Sequence, residues 1–409
     1  MSGELYQGRG GPRSLLWLCA LAALLEGFDN QSIGVAMPAL RPEFGLAARE
    51  ASWVLSAAPV GLFLGAAIGG RLADRFGRRG TLAASMLLLG VCSLLTASAP
   101  ALAALVLARF LTGVGLGGAL PNFIALASEG TAPSKRVSSV AFLMAGMPVG
   151  GMLAALVALG EKLGYGWRAI FQVGGVAPIV LSVAIWVLMR PAGAPGPGGA
   201  GADARRGAAL EGVASVLFAG GRARTTLLLW GGFFFTQLVL LLMLNWLPSL
   251  FVGLGFSKAE ASVASMCFNF SGAACSILLG RLYAGPRPMQ WAAVNYLAMA
   301  LALAAIPLAG HVLPLAYLAV ALAGVFFIGA QMVLFALAPL YYAQPVRGTG
   351  VGWAVAIGRL GSVFGPLYAG ALLTAGASSG LVLFGIVPFV ALGGVSTVLL
   401  AGRPRPALE

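Results

Sequence analysis

Residues 70–79 read Gly70-Arg71-Leu72-Ala73-Asp74-Arg75-Phe76-Gly77-Arg78-Arg79, a knot of charge and glycine between two apolar runs. Each flanking run has the length of a helix that crosses a bilayer, which takes about 20 apolar residues. A basic turn this short, closing two such runs, reads as a hairpin of membrane-crossing helices. The rest of the chain agrees with that reading. Hydrophobic residues make up 59% of its 409 residues and charged residues 9%, against about 25% charged in soluble domains. Mean hydropathy is +0.94. Transmembrane strands would alternate with a period of two, and that pattern is absent from the sequence. The expected fold is therefore all-α, with twelve transmembrane helices near 14–40, 50–74, 80–98, 101–128, 135–160, 168–190, 224–251, 258–283, 287–309, 313–341, 347–373 and 380–402.

The net charge of +13 is a matter of topology rather than of nucleic-acid binding. With these helices, most Lys and Arg fall on one side, including Arg71, Arg75, Arg78, Arg79, Lys135, Arg190, Arg205, Arg206, Arg281 and Arg347. The other side holds Arg41, Arg49, Lys162, Arg168 and Lys258. Positive residues stay in the cytoplasm, so both termini are expected there, in a multi-pass protein of the bacterial cytoplasmic (inner) membrane. Cys19, Cys92, Cys267 and Cys275 fall inside apolar helices without ligand spacing and read as small buried hydrophobes. No cofactor, metal cluster or nucleophile constellation is evident, which argues against an enzyme. The stretch after Pro191 is rich in Pro and Gly and reads as a flexible linker. It divides the chain into a six-helix bundle over 1–190, a cytoplasmic linker over 191–223 and a second six-helix bundle over 224–409. A weak repeat supports two related halves: Gly280-Arg-Leu-Tyr-Ala-Gly-Pro-Arg287 echoes residues 70–79, with Ala284 where Asp74 would stand.

Four charges lie where lipid forbids them. Glu26 and Asp29 sit in the first helix, Arg109 in the fourth and Arg359 in the eleventh. A charge at the bilayer centre costs about 3 kcal/mol by insertion scales and marks a functional site by default. Glu26 and Asp29 are i and i+3, on one helix face, and form with Arg109 a candidate proton-coupling group. A static Asp29–Arg109 ion pair is the alternative. No acid in a helix core of the second half neutralises Arg359, so a substrate carboxylate is its natural partner, a backbone-carbonyl contact being the other reading.

Residues 70–79 match at every position the signature loop of the major facilitator superfamily, Gly-x-Leu-x-Asp-Arg-x-Gly-Arg-Arg/Lys. Arg109-Phe-Leu-Thr-Gly-Val-Gly-Leu-Gly-Gly118 resembles a second pattern of that superfamily. Glu26-Gly-Phe-Asp-Asn-Gln31 resembles the Asp/Glu-Gly-x-Asp-x-Gln motif of its aromatic acid:proton symporters. The segments Gly113–Asn122, Asn245-Trp-Leu-Pro248, Ala336–Tyr342 and Arg347–Arg359 look like the hydroxyphenylpropionate carriers within that family. Asn30, at a position usually apolar there, and Ala284 depart from the pattern. The resemblance implies a proton-coupled importer of an aromatic carboxylate, such as a hydroxyphenylpropionate or hydroxybenzoate. It would work by alternating access as a monomer among membrane lipids. A proton-driven efflux antiporter of amphipathic compounds shares the fold and remains the alternative.

Within that frame Gly70, Asp74, Arg75, Gly77, Arg78 and Arg79 form an expected conformational latch, with Gly70 letting neighbouring helices approach. Arg347, at a helix start, either gates or sets topology. Asn122, Gln237, Asn245 and Gln331, with Asn269, either line the cavity and read a phenolic hydroxyl or bond between helices. Trp246 and Tyr341 either stack on an aromatic ring or belong to the interfacial belt. Gly146-Met-Pro-Val-Gly-Gly151 reads as a packing kink, and His311 as a loop residue outside any proton relay.

Overall fold

The computed structural model describes residues 12–129, 131, 136–160, 166–189, 217–218, 221–283, 287–342 and 347–403. Most of the linker, with Lys135, Lys162, Arg190, Arg205, Arg206 and Ala284, lies outside the described residues. So do the side chains of Asp74, Arg281 and Arg347.

The described chain is helical, as lipid requires of backbone groups that have no water to bond. The helices are α1 (Pro12–Phe44), α2 (Ala48–Phe76), α3 (Arg78–Ala97), α4 (Leu102–Glu129), α5 (Arg136–Leu159), α6 (Arg168–Leu188), α7 (Ala223–Gly253), α8 (Lys258–Tyr283), α9 (Pro288–Leu308), α10 (Leu313–Leu337), α11 (Arg347–Thr374), α12 (Ser379–Gly385) and α13 (Val387–Ala401). The last two form one crossing: Pro388, in the first turn of α13, breaks the helix expected over 380–402 at Ile386. Helix α1 runs past its expected end at 40, through Pro38 and Pro42, to Gly45 at φ 61. Its far end is pinned by Glu43, which accepts from Arg168 at 2.6 Å and from the Trp167 indole N–H.

The two halves repeat one packing scheme. In the first, α1 packs on α5, α2 on α4, and α3 on both α4 and α6. In the second, α7 packs on α11, α8 on α10, and α9 on both α10 and α13. Small residues make these seams, as expected where lipid removes the hydrophobic drive between helices. A Cβ on Gly150 would sit 1.9 Å from the Leu24 carbonyl oxygen, and one on Gly61 2.0 Å from that of Phe110. These two six-helix bundles, related by pseudo-symmetry, meet through α2 with α11, α5 with α8 and α1 with α7.

The face carrying Pro12, Ala223 and Arg403 is the terminal side, and the face with the loops at 45–47, 254–257 and 375–378 is the far side. On the far side one apolar core runs through both bundles, joining Met37, Val54 and Trp167 to Leu250, Phe268 and Val382. On the terminal side the described residues form two separate cores, one around Met86, Phe123 and Ile185, the other around Phe233, Leu334 and Tyr342. Helices α2 and α11 trace the same divergence. A Cβ on far-side Gly370 would lie 2.3 Å from Ser52 Cβ, and Ser56 Oγ donates to the Val363 carbonyl at 3.3 Å. Towards the terminal side, apart from the helix's own backbone, no atom of the described residues comes within 4 Å of such an atom on Gly70 or Gly352. Among the described residues, the bundles are joined on the far side and parted on the terminal side.

Candidate functional site

Asp29 and Arg109 form one closed unit. Arg109 of α4 grips Asp29 of α1 through both terminal nitrogens, Nη1 to Oδ1 and Nη2 to Oδ2, each at 2.9 Å. Nη2 also reaches the Asp29 carbonyl at 3.4 Å, and the guanidinium lies 5.6 Å over the Phe171 ring of α6. Both side chains are sealed, with 0% and 1% exposure. Such a fork satisfies the carboxylate in two directions and fixes its plane. It ties α1, α4 and α6 together.

Glu26, one turn earlier on α1, has none of this. It is wholly buried, and neither carboxylate oxygen has a hydrogen-bond partner. It lies within electrostatic reach of Asp29 and of Arg359 on α11, in the other bundle. Arg359 is half-buried, and its guanidinium has no hydrogen-bond or ion-pair partner among the described residues. No acid in a helix core of the second half is available to Arg359. The acid that faces Arg359 belongs to the first half, brought opposite by the packing of the bundles. A buried carboxylate without a hydrogen-bond partner thus lies within electrostatic reach of a half-buried guanidinium from the other bundle.

The sequence pattern of the Major Facilitator Superfamily matches residues 19–366. The chain belongs to this superfamily. It is a multi-pass membrane transporter, not an enzyme. The 3-(3-hydroxy-phenyl)propionate transporter of Escherichia coli (strain K12) is 40% identical over 392 residues, covering 94% of this chain and 93% of its own. The 4-hydroxybenzoate transporter PcaK of Pseudomonas putida is 30% identical over 407 residues, covering 93% and 91%. Among solved structures, a bacterial homolog of the human lysosomal transporter Spinster, inward-facing and unoccupied, has a TM-score of 0.79 at 18% identity, covering 97% of this chain and 99% of that one. The xylose transporter XylE from E. coli, inward open, has a TM-score of 0.75 at 16% identity, covering 97% of each chain. At these identities the structural likeness shows the fold.

The superfamily's signature loop takes a specific shape here. Gly77, at φ 79, makes the turn between α2 and α3, a conformation open to glycine and costly for other residues. Arg75 is exposed over the Phe76 ring, whereas Arg79 lies 4.8 Å over the Trp186 ring of α6 and donates to that residue's carbonyl. Arg78 is exposed. The close approach expected at Gly70 occurs instead at Gly69, whose Cβ would lie 2.6 Å from Gly118 Cα. Gly70 is fourteen residues after Ser56, so it shares the face turned towards the other bundle. On the terminal side that face looks into the opening.

The polar amides divide. Gln331 Nε2 donates to Gln237 Oε1 at a long 3.4 Å. Gln237 also lies beside Gly358, the residue before Arg359. Asn245 is buried, with Oδ1 unpartnered. Asn122 donates to the Gly118 carbonyl one turn back at 2.7 Å, satisfying its own helix. Asn269 bonds to Gln31 across the bundles. Neither aromatic candidate stands at the central charges. Trp246 is fully buried and donates to the Pro366 carbonyl at 3.1 Å, and Tyr341 bonds to the Leu400 carbonyl within the terminal-side core. Both are held by backbone acceptors within their own bundle. His311 is exposed in its loop, beside Gly255.

Proposed function

We propose that this transporter takes up an aromatic carboxylate, of the hydroxyphenylpropionate or hydroxybenzoate kind, together with protons, by alternating access. The observation that carries the reading is Arg359, a half-buried guanidinium with no hydrogen-bond or ion-pair partner among the described residues, within electrostatic reach of Glu26, whose carboxylate is also without a hydrogen-bond partner there. The 3-(3-hydroxy-phenyl)propionate and 4-hydroxybenzoate named for the two relatives above are phenolic carboxylates, which supports the class of anion. Gln237 and Gln331, with Asn245, are the groups to meet a ring hydroxyl near that arginine.

Charge balance supplies the coupling. Glu26, Asp29, Arg109 and Arg359 together are neutral when all are ionised. A substrate carboxylate donated to by Arg359 makes the site negative, and closing an unbalanced charge into the membrane costs about 3 kcal/mol by insertion scales. A proton on Glu26 restores neutrality. The Asp29–Arg109 fork keeps its charges matched and sets the field around Glu26. The loaded, neutral site can then be occluded, and the bundles 1–190 and 224–409 rock about it on the linker 191–223. Residues 70–79 and Arg347 would act at the terminal-side opening. The setting is a bacterial cytoplasmic membrane, with both termini inside and the carrier monomeric among its lipids.

Labelled 3-hydroxyphenylpropionate and 4-hydroxybenzoate uptake into proteoliposomes, with and without an imposed proton gradient, tests both halves. Arg359→Ala is expected to abolish uptake of the acid. Glu26→Gln is expected to retain substrate exchange and lose gradient-driven accumulation. Accumulation that survives Glu26→Gln removes the proton role. Uptake unaffected by Arg359→Ala removes the anion site and favours efflux of amphipathic compounds.

A further inference from the structure

Gln31 and Asn269 make a reciprocal amide pair across the bundles. Gln31 Nε2 donates to Asn269 Oδ1 at 2.7 Å, and Asn269 Nδ2 donates to Gln31 Oε1 at 2.6 Å. The second Asn269 proton goes to the Ser265 carbonyl at 2.8 Å. Both side chains are buried, at 4% and 3% exposure. The room for Gln31 comes from α5, where a Cβ on Gly151 would lie 1.9 Å from Gln31 Nε2. Helices α1, α5 and α8 thus meet at one point, with α8 in the opposite bundle.

The depth of this point gives it a role. Gln31 is five residues beyond Glu26, or about 7.5 Å along α1 towards the far side. It stands between the central charges and the far-side core. Among the described side chains, this pair bonds α1 to α8 where the far-side pathway to Glu26 and Arg359 is shut. Alternating access requires α1 and α5 to part from α8 there, so these two hydrogen bonds must break in each cycle. A neutral amide pair suits that duty: each partner can turn to water once the path opens, and separation strands no charge in the membrane.

We propose that Gln31 and Asn269 are the far-side gate of this transporter, with Gly151 as the positioning residue that seats Gln31. The inference goes beyond the substrate assignment and does not depend on it, since its test uses no substrate. Ser262, on α8, lines a small far-side pocket with Pro38 and Trp167 and is 5% exposed. Ser262→Cys therefore reports far-side opening, in a background with the four native cysteines replaced. Labelling by a membrane-impermeant maleimide applied to the far side of vesicles gives the readout.

Gln31→Ala and Asn269→Ala are each expected to raise the labelling rate by roughly tenfold, the scale of two interhelical amide hydrogen bonds. The double variant should gain no more than either single one, and Gly151→Ala should raise the rate in the same direction. The exchanged pair, Gln31→Asn with Asn269→Gln, keeps two amides and should return labelling towards the parent rate. It also serves where a single variant fails to fold. Labelling unchanged in the single variants, even with lowered thermal stability, overturns the gate and leaves a passive contact. Independent effects that multiply in the double variant overturn the pairing.

Discussion

At the scale of the residue, the central charges differ in what they are free to do. Asp29 and Arg109 are joined through both carboxylate oxygens and both terminal guanidinium nitrogens and are sealed from solvent, with only Arg109 Nε left without a partner among the described residues. Breaking such a buried pair from one side leaves an uncompensated charge and costs about 3–5 kcal/mol. Asp29→Asn is therefore expected to lower thermal stability in detergent markedly, and adding Arg109→Gln to recover part of the loss. Equal unfolding temperatures for parent and Asp29→Asn would show that the fork contributes nothing. Glu26 has no such contact to lose, which is why its replacement by Gln is the cleaner probe of proton movement. The difference between two acids one turn apart comes from Arg109 reaching only one of them.

At the scale of the element, helix seams depend on which face a glycine occupies. Gly150 of α5 abuts the backbone of α1, and that backbone cannot turn aside as a flexible side chain does. Gly150→Ala must push the two helices apart, an overpacking cost of about 1–3 kcal/mol. Gly70→Ala places its methyl in the open space between bundles and should leave thermal stability within about 0.5 kcal/mol of the parent. Unfolding curves of the two variants separate the cases, and equal losses in both would contradict the seam. Helix ends obey local chemistry more simply. Gly77 turns α2 into α3, and Pro388 divides the last crossing.

At the scale of the whole molecule, the described residues form one core on the far side and two on the terminal side, the arrangement of a carrier closed at one face and open at the other. Gly352 lies seven residues before Arg359 on α11, on the same face, and is exposed. Ser52 is 3% exposed against Gly370. A hydrophilic maleimide should label Gly352→Cys readily and leave Ser52→Cys protected in the resting carrier. The reverse order of reactivity would mean that the resting state opens on the far side. Movement between these two states has to exchange the α2–α11 and α1–α8 contacts while each bundle keeps its internal seams.

Hydropathy and length along the chain were enough to determine the solvent, the all-helical class and the twelve crossings, because lipid leaves a backbone few options and each crossing is judged from its own residues. The cost of charge in hydrocarbon likewise marked Glu26, Asp29, Arg109 and Arg359 before any contact was known. The motif at 70–79 and the superfamily were legible for the same reason, being local patterns. Partners were not. Gln31 stood in a quoted motif without a role, because Asn269 is 238 residues away. Tyr341 and Trp246 look suited to an aromatic ligand until the fold gives them backbone acceptors. Gly69, not Gly70, meets α4, a choice of one residue that turns a helix face by about 100°. Between helices in lipid no hydrophobic gradient selects the face, so small-residue packing decides it, and only the assembled bundles fix which charges, amides and glycines meet.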